Sequence, residues 1–440
     1  MIILTVTNRF IWLIGAGITL LIGAYFFGIS LVIFIIYNLL CLSLLILDYF
    51  LTADRDIFEI ERIGDEKLSI YEKEKIRFTV HNKSNKKVYM ELKDEMPDFH
   101  FPCKGKIMRG FILPKDKKIF QYEVEPKKRG AFTFGNLHVR YESRLKLCMK
   151  QFKVSLSKEY KVYPNLKNLH KYRMAICHNR RYQNGQKAIK MLGNGTSFES
   201  LREYVSGDEY RKINWKATAR EHKPIVNQYE PEKNQHVHIL IDTGRPMSYS
   251  IRGQKKLDIA INTALILSDI VNQNGDKSAL MAFNTSVQNM IMPGKGVGHR
   301  NKMMEGLYHI QPTKDTANYE EAFYYLKRKE RHRSLIFIFT DFDTIEEAED
   351  MMRVLPILSK TNIVAVILMK NENLEKLVER KVENDEDIFN KGVALEFLEE
   401  RKKMITKLNK KGIMCIECPA EKIEITSINK YLQIKNRMYF

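Results

Sequence analysis

The sequence predicts a membrane-anchored multidomain protein: a two-helix transmembrane hairpin, an antiparallel β-sandwich, then an α/β domain whose parallel sheet carries helices on both faces. Three observations predict it. Phe10 to Leu51 is almost free of charge. From Ile57 to Pro164, apolar and polar residues alternate with period two, as in half-buried strands. Beyond Val237, short apolar runs alternate with amphipathic helical stretches, the pattern of parallel strands joined by helices.

The hairpin occupies residues 1–56. Phe10 to Phe27 is apolar throughout, and Leu31 to Leu51 is nearly so, broken by Asn38 and Asp48, with Gly28, Ile29 and Ser30 between the two runs. At the rise of an α-helix each run spans roughly 27 to 31 Å, close to the hydrocarbon thickness of a bilayer. One tilted helix followed by an interfacial helix is the alternative. A cleaved signal fits poorly, because the apolar stretch far exceeds a signal's short core. Arg9 precedes the hairpin, and Arg55 and Arg62 follow it, so the positive-inside rule places both ends in the cytoplasm.

In the sandwich, residues 57–164, alternation is clearest at Ile76, Phe78 and Val80, then at Val88, Met90 and Leu92 after the turn residues Asn82-Lys83-Ser84-Asn85. It recurs at Phe120, Tyr122 and Val124, at Phe132 and Phe134, at Leu137, Val139 and Tyr141, and at Phe152, Val154 and Leu156. No paired carboxylates or histidine cluster interrupts this pattern, so its role reads as structural. Residues 165–236 begin as a basic linker containing Lys171, Arg173, Arg180, Arg181, Lys187 and Lys190, closed by Gly193-Asn194-Gly195.

Residues 237–440 read as the α/β domain. Val237–Ile241, Leu280–Phe283, Val287–Ile291, Leu335–Phe339, Ile363–Leu368 and Gly412–Ile416 are the expected strands, and Leu257–Val271, Tyr319–Lys329 and Ala394–Lys410 are the expected helices. Asp242 and Asp341 fall at the carboxyl ends of two strands, where ligands bind in open α/β sheets.

The chain carries 72 Lys and Arg against 53 Asp and Glu, a net charge of +19. Such a balance suits nucleic acid, an acidic partner protein or the anionic inner leaflet of a membrane. Next to a membrane anchor, the leaflet is the simplest account. The basic linker lacks the aromatics that stack on bases, so no specific nucleic acid is expected. The six cysteines are scattered, with no framework of the kind small secreted domains need, which favours a reducing compartment.

The segment Phe198-Glu199-Ser200-Leu201-Arg202-Glu203-Tyr204-Val205-Ser206-Gly207-Asp208-Glu209-Tyr210-Arg211-Lys212-Ile213-Asn214-Trp215-Lys216-Ala217-Thr218-Ala219-Arg220 resembles, without a gap, the signature of the domain-of-unknown-function 58 family. The Val162-Tyr163-Pro164 that closes the β region is also similar to such proteins, whereas Tyr141-Glu142-Ser143-Arg144-Leu145 stands where they often carry an Asp-Pro-Phe-Gly-Leu-like segment. The resemblance implies a von Willebrand factor A-like α/β domain, and a non-enzymatic protein that works with a MoxR-type AAA+ ATPase in assembly or maturation of other proteins. Arg202, Tyr204, Asp208, Tyr210, Arg211, Trp215 and Arg220 form a charged, aromatic set with two readings. One is an ion-pair network that fixes this segment to the α/β domain. The other is a docking surface, since Trp, Tyr and Arg dominate interface hot spots.

Domains similar to von Willebrand factor A bind Mg²⁺ through Asp-x-Ser-x-Ser, a later Thr and a later Asp. The corresponding residues here are Asp242, Thr316 and Asp341. The site is degenerate: Asp242-Thr243-Gly244-Arg245-Pro246 puts glycine and proline where hydroxyls belong, leaving Ser248 and Ser250 as substitutes and Arg245 as a competing cation. Three other motifs are weak. Cys415-Ile416-Glu417-Cys418 lacks a second ligand pair, and Gly294-Lys295-Gly296-Val297-Gly298 lacks the ending of a phosphate loop. His236 and His238 share one strand face without a third ligand at suitable spacing. No Ser-His-Asp, zincin or Walker signature is present. The expectation is therefore a membrane-tethered scaffold or adaptor that binds an AAA+ ATPase or its client, with a metal-dependent hydrolase of cell-envelope material as the alternative.

Overall fold

A computed structural model describes residues 3–25, 30–52, 54–165, 197–206, 208, 210–230, 234–342 and 345–437. The basic linker residues Lys171 to Lys190 and the Gly193-Asn194-Gly195 that closes them lie outside the described residues. The chain divides into two compact units, Met1–Tyr163 and Pro164–Phe440.

The first unit opens with a strand that sequence periodicity missed, β1 (Ile3–Val6), followed by α1 (Asn8–Tyr25) and α2 (Ser30–Leu51). Among the described residues, one helix, α2, is long and apolar enough to cross a membrane; the apolar stretch of α1, Asn8–Ile22, is shorter. The two helices touch where Gly17 leaves room for the ring of Tyr37. A Cβ at Gly17 would lie 2.3 Å from that ring.

Eleven more strands follow. They are β2 (Phe58–Ile63), β3 (Lys67–Ser69), β4 (Glu74–Asn82), β5 (Val88–Asp94), β6 (Cys103–Lys104) and β7 (Ile107–Ile112). Then come β8 (Lys117–Val124), β9 (Gly130–Phe134), β10 (Leu137–Glu142), β11 (Cys148–Val154) and β12 (Lys158–Tyr163). They form sheets ordered β1-β11-β10-β5-β7, β2-β4-β8-β6 and β3-β12-β9. Their inward residues, among them Phe78, Leu92, Phe120, Phe134, Val139 and Tyr160, share one apolar core, the layout expected of a β-sandwich.

The end of α2 is bolted to this unit. Asp48, fully buried, accepts hydrogen bonds from the Ser143 hydroxyl, from Leu145 N–H at 2.7 Å and from Leu147 N–H at 3.1 Å. Thr52 accepts from Arg144 N–H at 3.1 Å, and buried Lys150 donates to Thr52 O at 2.9 Å beneath the Tyr49 ring. The turn from Ser143 to Leu147 thus grips the end of the helix.

The second unit begins with an antiparallel ribbon, β13 (Ser197–Glu203) and β14 (Ile225–Glu230), with α3 (Trp215–Glu221) between its strands. The signature segment thus contributes a strand and a short helix, which the sequence reading did not assign. The main sheet follows: β15 (His236–Asp242), β18 (Lys277–Phe283), β19 (Val287–Gly294), β20 (Leu335–Phe339), β21 (Ile363–Met369) and β22 (Met414–Cys418). The small hairpin of β16 (Ser250–Ile251) and β17 (Gln254–Lys255) lies between β15 and β18 in sequence. The sheet order is β19-β18-β15-β20-β21-β22, parallel except for β19, which closes one edge antiparallel.

Every residue of β20 is buried, because helices cover both faces. On one face lie α4 (Lys256–Gln273), α5 (Val297–Tyr308) and α10 (Ile423–Arg437). On the other lie α6 (Tyr319–Lys329), α7 (Ile345–Ser359) and α9 (Asp385–Lys410), while α8 (Glu372–Glu379) packs on α9. Gly296 has φ +93 and caps α5, so the glycine-rich motif is a turn into a helix. Cys415 and Cys418 are three residues apart on β22 and enter the cores on opposite faces of the sheet. They cannot form one thiol pair, and burial pushes Cys415 up to about 12 and Cys418 up to about 11.

Candidate functional site

The two aspartates singled out at the strand ends do come together. Asp242 ends β15 and Asp341 follows β20, the adjacent parallel strand; they are 1% and 2% exposed. What surrounds them differs from the expectation. The Lys256 ammonium sits 2.6 Å from Asp341 Oδ2, and the Arg401 guanidinium 2.7 Å from Oδ1. Arg401 also donates to the carbonyls of Phe342 at 3.1 Å and Met369 at 3.0 Å, and pairs with Glu417. Asp242 accepts from Thr340 Oγ1 at 2.6 Å, Gly244 N–H at 2.7 Å and Tyr319 OH at 3.0 Å.

These residues do not fit Mg²⁺. A hard divalent ion needs free oxygen lone pairs converging on one position. Both oxygens of Asp341 already face fixed cations, and those of Asp242 are taken by three donors. Thr316 is exposed on its loop, and no hydrogen bond joins its side chain to either carboxylate among the contacts described. Ser248 donates to Arg245 O at 2.6 Å, and Arg245 turns to Glu347 at 2.8 Å. The expected ligand set of Asp242, Thr316 and Asp341 is therefore corrected: the charge an ion would supply comes from Lys256 and Arg401. Sequence reasoning named Arg245 as the neutralising cation and missed both. Lys256 follows a small hairpin, and Arg401 lies on a helix far along the chain, so neither has a local motif. Above this cluster a cavity of about 620 Å³ opens, lined by Tyr249, Phe342, Phe397 and Met404 among others.

Burial raises the Asp242 carboxyl to about 6, against partial opposition from the Thr340, Gly244 and Tyr319 hydrogen bonds. A carboxyl whose folded pKa lies above its unfolded value favours the fold when protonated. Its stabilisation is complete below about pH 4 and is lost as pH rises towards 6, a difference of roughly 3 kcal/mol. Asp242→Asn is expected to flatten the pH dependence of unfolding across that interval, measured by denaturant titration from pH 4 to pH 8. A variant that keeps the wild-type slope would assign the dependence to other groups.

In the signature segment, Arg202 makes a bidentate pair with Asp208, at 2.7 and 2.6 Å, and Asp208 also accepts Val205 N–H at 2.9 Å. These bonds hold the Asp208 carboxyl below its usual range. Tyr204 stacks on Tyr210 with ring centroids 6.0 Å apart, and Asn214 caps α3 through Ala217 N–H at 3.0 Å. The Arg202–Asp208 pair thus braces the segment itself. The other members of the set face outward: Tyr210 is 76% exposed and Trp215 70%, and Arg211 and Arg220 are exposed too.

Fold and site together define a protein of two units, a β-rich unit carrying an apolar helix and an α/β unit with an internally neutralised strand edge. Residues 200–384 match the family described as "Protein of unknown function DUF58". The curated relatives are themselves uncharacterized. Rv1480 of Mycobacterium tuberculosis is 22% identical over 152 residues, which is 34% of this chain and 48% of the relative. YeaD of Bacillus subtilis is 24% identical over 159 residues, 35% of this chain and 39% of the relative. The chain thus spans about half the length, or less, of the curated relatives it matches. Among solved structures, the conserved hypothetical protein BatB from Bacteroides thetaiotaomicron matches with a TM-score of 0.29 and 14% identity, over 46% of this chain and all of that one. A PapD-like domain of human CEP192 matches with a TM-score of 0.18 and 14% identity, over 24% of this chain and 86% of that one.

Proposed function

We propose that the protein is a membrane-tethered, non-enzymatic adaptor whose signature segment docks a partner protein. The observation that carries this reading is the pair of aromatic side chains Tyr210 and Trp215, held in solvent on a segment braced by Arg202 and Asp208. Large exposed aromatics beside exposed arginines are the residue types that anchor interfaces. The family resemblance points to a MoxR-type AAA+ ATPase, or its client, as that partner. The strand-end edge gives the hydrolase alternative no support, since Asp341 is committed to two internal cations and Asp242 to three hydrogen-bond donors. The α/β unit is read as von Willebrand factor A-like on the same resemblance, with the metal position taken over by Lys256 and Arg401.

In this reading α1 and α2 form the membrane hairpin with both ends cytoplasmic, where basic surfaces face anionic lipid and a cytosolic ATPase has access. The test is co-purification of partners from membranes with full-length wild type and with Trp215→Ala and Tyr210→Ala. A hot-spot loss of about 2 kcal/mol, on the order of 30-fold in affinity, is the expected result. Both positions are exposed, so folding is expected to stay intact. Recovery of the same partners at wild-type yield overturns the proposal.

A further inference from the structure

The strand face carrying His236 and His238 has a third ligand that the sequence spacing concealed. Glu330 caps the C-terminus of α6 and brings its carboxylate between the two rings. His236 Nδ1 lies 2.7 Å from Glu330 Oε2, and His238 Nε2 lies 3.2 Å from the same oxygen. The nitrogen and oxygen ligand atoms of the three residues all fall within 4.8 Å of one another. The cluster is built into the fold. The side chains of His238 and Glu330 are 2% and 8% exposed, and that of His236 is 17% exposed. His332 N–H fixes the other carboxylate oxygen at 2.9 Å, and the exposed His332 ring packs edge-on against His236 with centroids 5.3 Å apart.

We propose that His236, His238 and Glu330 bind a single Zn²⁺ ion, a site independent of the proposed docking function. The geometry and the ligand chemistry support it. Tetrahedral zinc with bonds of about 2.0–2.1 Å to nitrogen and oxygen needs ligand atoms roughly 3.3 Å apart, so the two histidine–carboxylate contacts need only a small opening and the two ring nitrogens, within 4.8 Å of each other, at most a modest closing. Two imidazoles and one carboxylate form a recurrent zinc ligand set. Glu330 also sits at the negative end of a helix dipole, where a cation is favoured. With three protein ligands, a fourth position is left for water, as in open zinc sites.

The site pins the start of β15 to the loop between α6 and β20. Along β15 its two histidines are about 13 and 20 Å from the Asp242 end, so it is separate from the strand-end cluster.

The test uses full-length protein in detergent, free of any histidine tag and stripped with a chelator. Titration with Zn²⁺ by calorimetry is expected to give one equivalent at micromolar affinity or tighter, and Co²⁺ is expected to give the visible bands of a tetrahedral ion. His236→Gln and Glu330→Gln are expected to weaken Zn²⁺ binding by on the order of 100-fold, as loss of a direct ligand requires. Circular dichroism of the metal-free variants checks that the fold is kept. A third readout needs no variant: Zn²⁺ is expected to raise the melting temperature of wild type, and chelator to reverse it. The proposal is overturned if stripped wild type takes up no Zn²⁺ at ten micromolar, or if folded variants bind it as wild type does.

Discussion

Asp341→Ala is expected to destabilise the α/β unit by about 3–5 kcal/mol, the cost of leaving buried cations without their counter-ion. Lys256 and Arg401 have side chains only 5% and 12% exposed, and Asp341 answers both. Arg401 keeps Glu417 and two carbonyls after the substitution, but Lys256 keeps only the face of Tyr249 at 5.7 Å among the contacts described. In a unit of this size the loss corresponds to a fall in melting temperature on the order of 10 °C. Calorimetry of the full chain resolves it. A companion variant separates charge from volume: Asp341→Leu with Lys256→Met removes both members of the tightest pair and is expected to recover most of the loss. A single-variant loss below about 1 kcal/mol would mean that water reaches the cations, and that the strand edge is open to ligands after all.

Asp48→Ala is the second large effect. The carboxylate takes the Ser143 hydroxyl and the backbone N–H groups of Leu145 and Leu147, all in a buried setting. Its loss leaves these donors unsatisfied at about 1–3 kcal/mol each, and an overall cost of about 3–5 kcal/mol is expected. The consequence is local as well as global. The turn from Ser143 to Leu147 would lose its grip on the end of α2, and proteolysis is expected to cut there first. Limited digestion of membrane preparations followed by mass spectrometry reads this directly. Asp48→Asn keeps one acceptor oxygen and is expected to show an intermediate effect. Equal digestion of wild type and Asp48→Ala would show that Thr52 and Lys150 carry the joint by themselves.

Much of the fold was legible in the sequence. Alternation at Phe78, Leu92 and Val139 marked inward-facing strand residues because side chains on a strand change face at every step. The unbroken apolar run Leu335–Phe339 marked a strand covered on both sides. The ribbon of the signature segment was less legible, because its charges and aromatics follow no single period, and no strand was assigned to it. β1 was invisible for a different reason: four residues are too few to show a period, and their pairing partner lies in β11, far along the chain.

The candidate sites divide in the same way. Arg202 and Asp208 were recognisable because they lie six residues apart in one segment. Asp242 and Asp341 were recognisable by their place at strand ends, a consequence of βαβ order. Their neutralisation by Lys256 and Arg401 was not, and neither was the meeting of Glu330 with His236 and His238.

The sequence by itself determined the apolar helix, the β-rich region, the α/β region and the strand ends at which charge collects, since each follows from local periodicity and short spacing. Only the tertiary structure decided what those charges meet. Asp48 is held by the turn from Ser143 to Leu147, Asp341 by two cations rather than an ion, and Glu330 meets two histidines. The physical reason is common to all three. A buried charge must find a partner, and in a folded chain that partner comes from whichever element packs against it, at a distance along the sequence that no pattern records.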